Sequence, residues 1–128
     1  MEKTVTTPRP VHLDLTKMKF PPMAIVSIMH RISGVLLFLL LPFVLYLLHT
    51  SLQSQESFTQ LLSFTALPLT KFLVWILISA ASFHFFAGVR HMIMDCGFGE
   101  QLKTAKITAY FIFILEIIAM IFAGVWLC

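Results

Sequence analysis

His84, Gly88, His91 and Asp95 follow one another at intervals of four, three and four residues. On a helix of 3.6 residues per turn they fall within roughly a 60° arc, so one face carries two imidazoles, a bare backbone patch and a carboxylate. Imidazoles in an apolar segment suit an iron porphyrin, which needs an axial nitrogen, an apolar slot and cations or water for its carboxylates. His84 has the apolar surroundings: Phe83, Phe85 and Phe86 supply bulk, while Ala80, Ala81, Ala87 and Gly88 keep the surface low enough for a flat group. The alternative is a core histidine bonded to a neighbouring carbonyl. His91 lies two turns, roughly 10 Å, further along the same face, and one helix cannot clamp both sides of a porphyrin. A second axial ligand therefore comes from His30 or from another chain, and another chain is favoured.

A second polar cluster precedes this one. Ser27, His30, Arg31 and Gly34 fall within roughly a 100° arc of helix. Ser27 and Arg31 stand one turn apart, a hydroxyl and a guanidinium suited to the carbonyl of a quinone: the serine donates a hydrogen bond and the arginine stabilises developing negative charge. His30 and Arg31 also lie where haem propionates would emerge. The structural alternatives are a helix-packing serine and an interfacial arginine that reaches for water.

These residues must be held by membrane helices. The chain has 128 residues, of which 59% are hydrophobic and 12% charged. Soluble domains carry about 25% charged residues. Two cysteines are too few for an iron–sulfur cluster held by this chain alone, which takes about four thiolates. Basic residues form no stripe of the kind that binds nucleic acid. The polar, proline-bearing start does not read as a cleaved signal peptide.

The expected fold is all-α, an integral membrane bundle of three spans at about 23–48, 69–95 and 105–127, after a tail of residues 1–22. Pro21 and Pro22 open the first span and Pro42 kinks it. Leu52, Phe58, Leu61 and Leu62 suggest a short interfacial helix in the connector. Pro68 and Thr70 start the second span, Gly97 caps its end, and Thr104 caps the start of the third. Lys3, Arg9, Lys17, Lys19, Arg31, Arg90, Lys103 and Lys106 fall on one side and only Lys71 on the other, which puts the N-terminus in the cytoplasm and the C-terminus outside. Tyr46, Trp75 and Trp126 then collect at the outer interface. Cys96 and Cys128 lie a membrane thickness apart, on the order of 30 Å, too far for a disulfide. Glu116, near the midplane, should be neutral and hydrogen-bonded to another helix.

Three motifs carry a family resemblance. Arg9-Pro10-Val11-His12-Leu13-Asp14-Leu15, Ser27-Ile28-Met29-His30-Arg31-Ile32-Ser33-Gly34-Val35, and His84 through Asp95 together resemble the larger cytochrome b anchor subunit of bacterial succinate dehydrogenase. The resemblance spans almost the whole chain. It implies that His84 is an axial ligand of haem b, with the other axial histidine supplied by the small anchor subunit. It implies that Ser27 and Arg31 belong to a ubiquinone site completed by the iron–sulfur subunit and the small anchor, and that His30 and Arg31 lie near the haem propionates. Arg90, His91 and Asp95 match the motif and form a cytoplasmic rim that meets Ser27 to Arg31. A flavoprotein subunit would oxidise succinate, so the chain would not be an enzyme alone. Its place would be the bacterial inner membrane. A fumarate reductase anchor working in reverse, and a non-redox scaffold whose histidines only pack helices, are the competing readings. Glu116 lies outside the pattern.

Overall fold

The structure is a computed structural model and describes residues 18–128. The Arg9–Leu15 motif and the basic residues Lys3, Arg9 and Lys17 lie outside the described residues. Four helices follow in order: α1 (Pro22–Gln53), α2 (Gln55–Thr65), α3 (Pro68–Asp95) and α4 (Leu102–Leu127). Helices α1, α3 and α4 are long and apolar enough to cross a membrane. At 1.5 Å per residue even α4 reaches about 39 Å, beyond the roughly 30 Å of hydrocarbon.

The helix ends follow from backbone chemistry. Pro22 and Pro68 occupy first-turn positions of α1 and α3, where a missing N–H leaves no bond unmade. Gly97, with φ of 85°, ends α3 in the left-handed region, as expected of it. The Gly97 N–H then donates to the Met94 carbonyl at 2.8 Å and the Phe98 N–H to the Ile93 carbonyl at 3.2 Å. Two expectations at helix ends need correction, and one connector helix is present as expected. Helix α1 runs to Gln53 rather than Leu48, because no residue between them breaks the backbone ladder. Thr104 does not cap α4: the Gln101 carbonyl already accepts from the Ala105 N–H at 2.8 Å, so Thr104 lies inside the first turn. Helix α2 forms where the connector suggested one, capped by Ser54, whose Oγ accepts from the Ser57 N–H at 3.1 Å. Of the four residues expected to build it, Leu61 is buried and Leu52 belongs to α1.

The three long helices run up, down and up. Their interhelical bonds show this by register. Trp75 Nε1 donates to the Met120 carbonyl at 3.0 Å, Ser82 Oγ to Glu116 Oε2 at 2.9 Å, and Arg90 Nε to Thr108 Oγ1 at 3.1 Å. As the α3 number rises from 75 to 90 the α4 number falls from 120 to 108, which only antiparallel helices allow. Between them sits a core of Val26, Phe83, Ala87, Ala109 and Ile112. Small Ala87 and Ala109 let the backbones approach, the usual device where lipid supplies no hydrophobic drive between helices. Trp75, expected in an interfacial aromatic belt, bonds inside the α3–α4 seam, beside the space that Gly124 leaves open. Trp126 and Tyr46 remain exposed. Both cysteines are free, at the far ends of α3 and α4.

Arg90 is the strongest polar fastening. It is 6% exposed, and its NH2 nitrogen donates to the Ala105 carbonyl at 3.1 Å while Nε holds Thr108. Lysine offers a point charge in place of this planar fork. Arg90→Lys is expected to destabilise the bundle by about 1–3 kcal/mol, the cost of leaving buried polar groups unpaired. Thermal unfolding in mild detergent, followed by far-ultraviolet circular dichroism, checks this.

Candidate functional site

Helix α3 meets α1 through imidazoles. The stretch from Ala80 to His91 presents Ala80, His84, Ala87 and His91 on one side of α3, since these positions recur every three or four residues. Opposite them α1 presents Val26, His30, Ser33 and Gly34. The His30 and His84 rings stack with centroids 4.0 Å apart and planes inclined by 18°. His91 continues the series, its ring tilted 53° to that of His30 at 5.2 Å. Three of the chain's five histidines thus form one column between two helices.

Glycines make the column possible. A methyl group on Gly34 would stand 3.1 Å from His84 Cε1, and one on Gly88 would stand 3.2 Å from His30 Nε2. Each glycine therefore receives the imidazole of the opposite helix. The low surface around Gly88, expected to admit a flat group, is filled by His30. Ala80 and Ala87 are buried in the bundle, and only Ala81 faces outward.

His84 is held through one nitrogen. Its Nδ1 lies 3.1 Å from the His30 carbonyl oxygen and 3.1 Å from Ser33 Oγ. The Ser33 hydroxyl itself donates to the His30 carbonyl at 2.8 Å, and Ser33 is buried. A carbonyl only accepts, so Nδ1 carries the proton toward it. Nε2 is then the lone-pair nitrogen, and no hydrogen bond engages it among the described residues. A histidine that donates Nδ1–H to a carbonyl and offers Nε2 is the usual pattern of a metal-ligating imidazole. The carbonyl contact expected of a mere core histidine is thus present, yet it leaves the ligating atom free. His30 cannot be the second axial ligand in this arrangement, because rings stacked at 4.0 Å leave no room for a porphyrin between them. His30 Nε2 is instead a buried nitrogen without a hydrogen-bond partner among the described residues.

The remaining predicted residues divide. Ser27 is half-buried and Arg31 exposed, one turn apart on α1, close in sequence to the column. His91 meets the α1 cluster, as the rim reading expected. Asp95 is exposed at the end of α3. Arg90 does not join that rim. The 100° step from His91 to Arg90 turns it toward α4, where Thr108 and Ala105 hold it. Ser33 was within the quoted motif but its contact with His84 was not foreseen; its place beside Gly34 on the same helix face was the available signal.

Taken together, these features define a multi-pass helical membrane protein with one imidazole held through Nδ1 and its Nε2 unengaged among the described residues. The chain belongs to the succinate dehydrogenase/fumarate reductase transmembrane subunit family, whose sequence model matches residues 5–123. Its relatives narrow the placement to the cytochrome b anchors of succinate dehydrogenase. It is 52% identical over 122 residues to the succinate dehydrogenase cytochrome b556 subunit of Coxiella burnetii, covering 93% of this chain and 96% of that one. It is 30% identical over 109 residues to the succinate dehydrogenase cytochrome b560 subunit of Reclinomonas americana, covering 80% of this chain and 74% of that one.

Proposed function

We propose that this chain holds one face of a haem b through His84 Nε2 and forms part of the site where ubiquinone is reduced. The observation that carries the proposal is the anchoring of His84 Nδ1 by the His30 carbonyl and Ser33, which fixes the tautomer and ring orientation an axial ligand needs. The second axial histidine comes from the small anchor subunit, since among the described residues no second imidazole stands across from His84. A haem b, once bound, supplies a one-electron centre within the membrane. His84 holds the iron, and the apolar side chains beside it, including the exposed Phe85, exclude water. Arg31, exposed on α1, is placed to meet carboxylates or a quinone oxygen.

Around this chain stand the flavoprotein subunit, which oxidises succinate, and the iron–sulfur subunit, which carries electrons to the membrane face. Ser27 and Arg31 lie in the first three turns of α1, on the cytoplasmic side by the distribution of basic residues. There Ser27 donates a hydrogen bond to the quinone carbonyl and Arg31 stabilises charge developing on it. Succinate oxidation is the working direction, in keeping with the succinate dehydrogenase names of both relatives. The protein sits in a bacterial inner membrane, with its N-terminus cytoplasmic and its C-terminus periplasmic.

Three measurements test this reading. His84→Ala, in a complex shown to assemble, should abolish or shift the b-type absorption in reduced-minus-oxidised spectra; an unchanged spectrum would reject the ligand. Gly34→Leu should lower haem content several-fold, because its side chain occupies the place of the His84 ring, whereas Ser33→Ala should cost less, since the His30 carbonyl still holds Nδ1. Ser27→Ala and Arg31→Ala should each lower quinone reduction about 10²–10³-fold, as loss of one stabilising donor does. They should leave succinate oxidation by an artificial acceptor nearly intact. Equal losses in both assays would remove Ser27 and Arg31 from the quinone site.

A further inference from the structure

Glu116 is the one ionisable group at mid-depth of α4, and nothing in the haem or quinone chemistry uses it. It is 8% exposed. Ser82 Oγ donates to its Oε2 at 2.9 Å, while Oε1 makes no hydrogen bond. Oε1 is not sealed in protein either, because Glu116 lines a cavity of about 300 Å³ between α1, α3 and α4. From α1 the cavity is walled by Met29, Ile32 and Ser33, and from α3 by Trp75 and Ser79. Its other walls are apolar, and none of the side chains facing Glu116 is ionisable. Met29 and Ile32 at the rim are 41% and 60% exposed, on the surface that lipid or another chain covers.

The chemistry of such a place is narrow. A carboxylate there faces no cation among the described residues, and burying an uncompensated charge costs several kcal/mol. A neutral carboxylic acid loses nothing of this kind. Its Oε2 bonds Ser82 Oγ, which also lies 3.1 Å from the Ser79 carbonyl, and its Oε1 is left to the cavity. The hydroxyls of Ser33 and Ser79 are already spent as donors on the His30 and Trp75 carbonyls. Among the described residues that wall the cavity, the carboxyl of Glu116 is therefore the one acidic group it contains.

We propose that Glu116 is a proton-holding site inside the membrane, a neutral acid open to the lipid phase and a modification site for apolar carbodiimides. In that reaction a carboxyl oxygen bonds to the central carbon of the carbodiimide and the acid proton moves to one of its nitrogens. The resulting O-acylisourea rearranges to a stable N-acylurea on Glu116. No group leaves, and nothing is oxidised or reduced. The proposal is independent of the haem and quinone assignments.

The test uses the assembled complex in its own membranes, with assembly confirmed by co-purification of its subunits. Membranes are treated with dicyclohexylcarbodiimide or with a charged, water-soluble carbodiimide, and peptides of this chain are mapped by mass spectrometry. The expected result is an adduct on Glu116, several-fold more abundant with the apolar reagent, declining at alkaline pH and absent in Glu116→Gln. Glutamine keeps an acceptor for Ser82, so the variant retains the interhelical bond. Absence of the adduct in the wild-type complex would overturn the proposal, since the group would be charged or covered. Equal labelling by the water-soluble reagent would overturn it as well, since the cavity would then be open to water.

Discussion

The contact on which the site depends is between His84 Nδ1 and the His30 carbonyl, two helices apart in the chain and 3.1 Å apart in space. A backbone carbonyl inside an α-helix already accepts from its own ladder. Here it has spare capacity, because a carbonyl has two lone pairs. Ser33 adds its hydroxyl to the same oxygen and also reaches Nδ1, so three groups close a small polar knot in an apolar seam. Without the knot the imidazole could turn over, and Nε2 would lose its aim. Gly34 and Gly88 are its geometric condition, since a side chain at either position would press on an imidazole.

Hydrogen bonds between membrane helices contribute about 0.6 kcal/mol each on average, so those seen here do not by themselves hold the bundle together. Their effect is on register. Trp75, Ser82 and Arg90 are spaced by seven and eight residues, two turns each, and all three bond to α4. A slip of one turn along that seam would unpair a buried glutamate and a buried arginine together. The imidazole column does the same for α1 against α3. Packing of small residues supplies the close approach, and the polar pairs select which close approach is adopted. A ligand site needs that selection, because a shift of one turn moves His84 by about 5.4 Å.

Much of this was legible in the sequence, and the rest was hidden for definite reasons. The spans stand out because a lipid-facing helix must be apolar on every side, as the exposed Ile32, Phe38 and Phe122 show. Glu116 announced an interhelical bond because its charge has nowhere else to go, but the name of its partner depended on the α3–α4 register. Arg90 was placed with His91 by adjacency, although adjacent residues on a helix point 100° apart. Ala80, Ala81, Ala87 and Gly88 suggest an open slot, since a sequence shows that a side chain is missing without showing what fills the space. The helix ends erred for a similar reason: Thr104 is a good cap by type, and Gln101 reached the ladder first.

The arrangement also bears on the proposal that the haem site is divided between subunits. His30, the in-chain imidazole nearest His84, lies against its face rather than across a gap. A helix supplying a second imidazole to a bound haem would need room for the haem between itself and His84. The contact between α1 and α3, closed by Gly34 and Gly88, is too tight for that. Loosening it would free the His84 ring from the very carbonyl that orients it. Within one tight pair of helices, orientation of the first ligand and room for the second are therefore in conflict. In the proposed arrangement a second subunit would remove the conflict: the outward side of α3, where Ala81 and Phe85 are exposed, is open to a further helix without disturbance of the column behind His84.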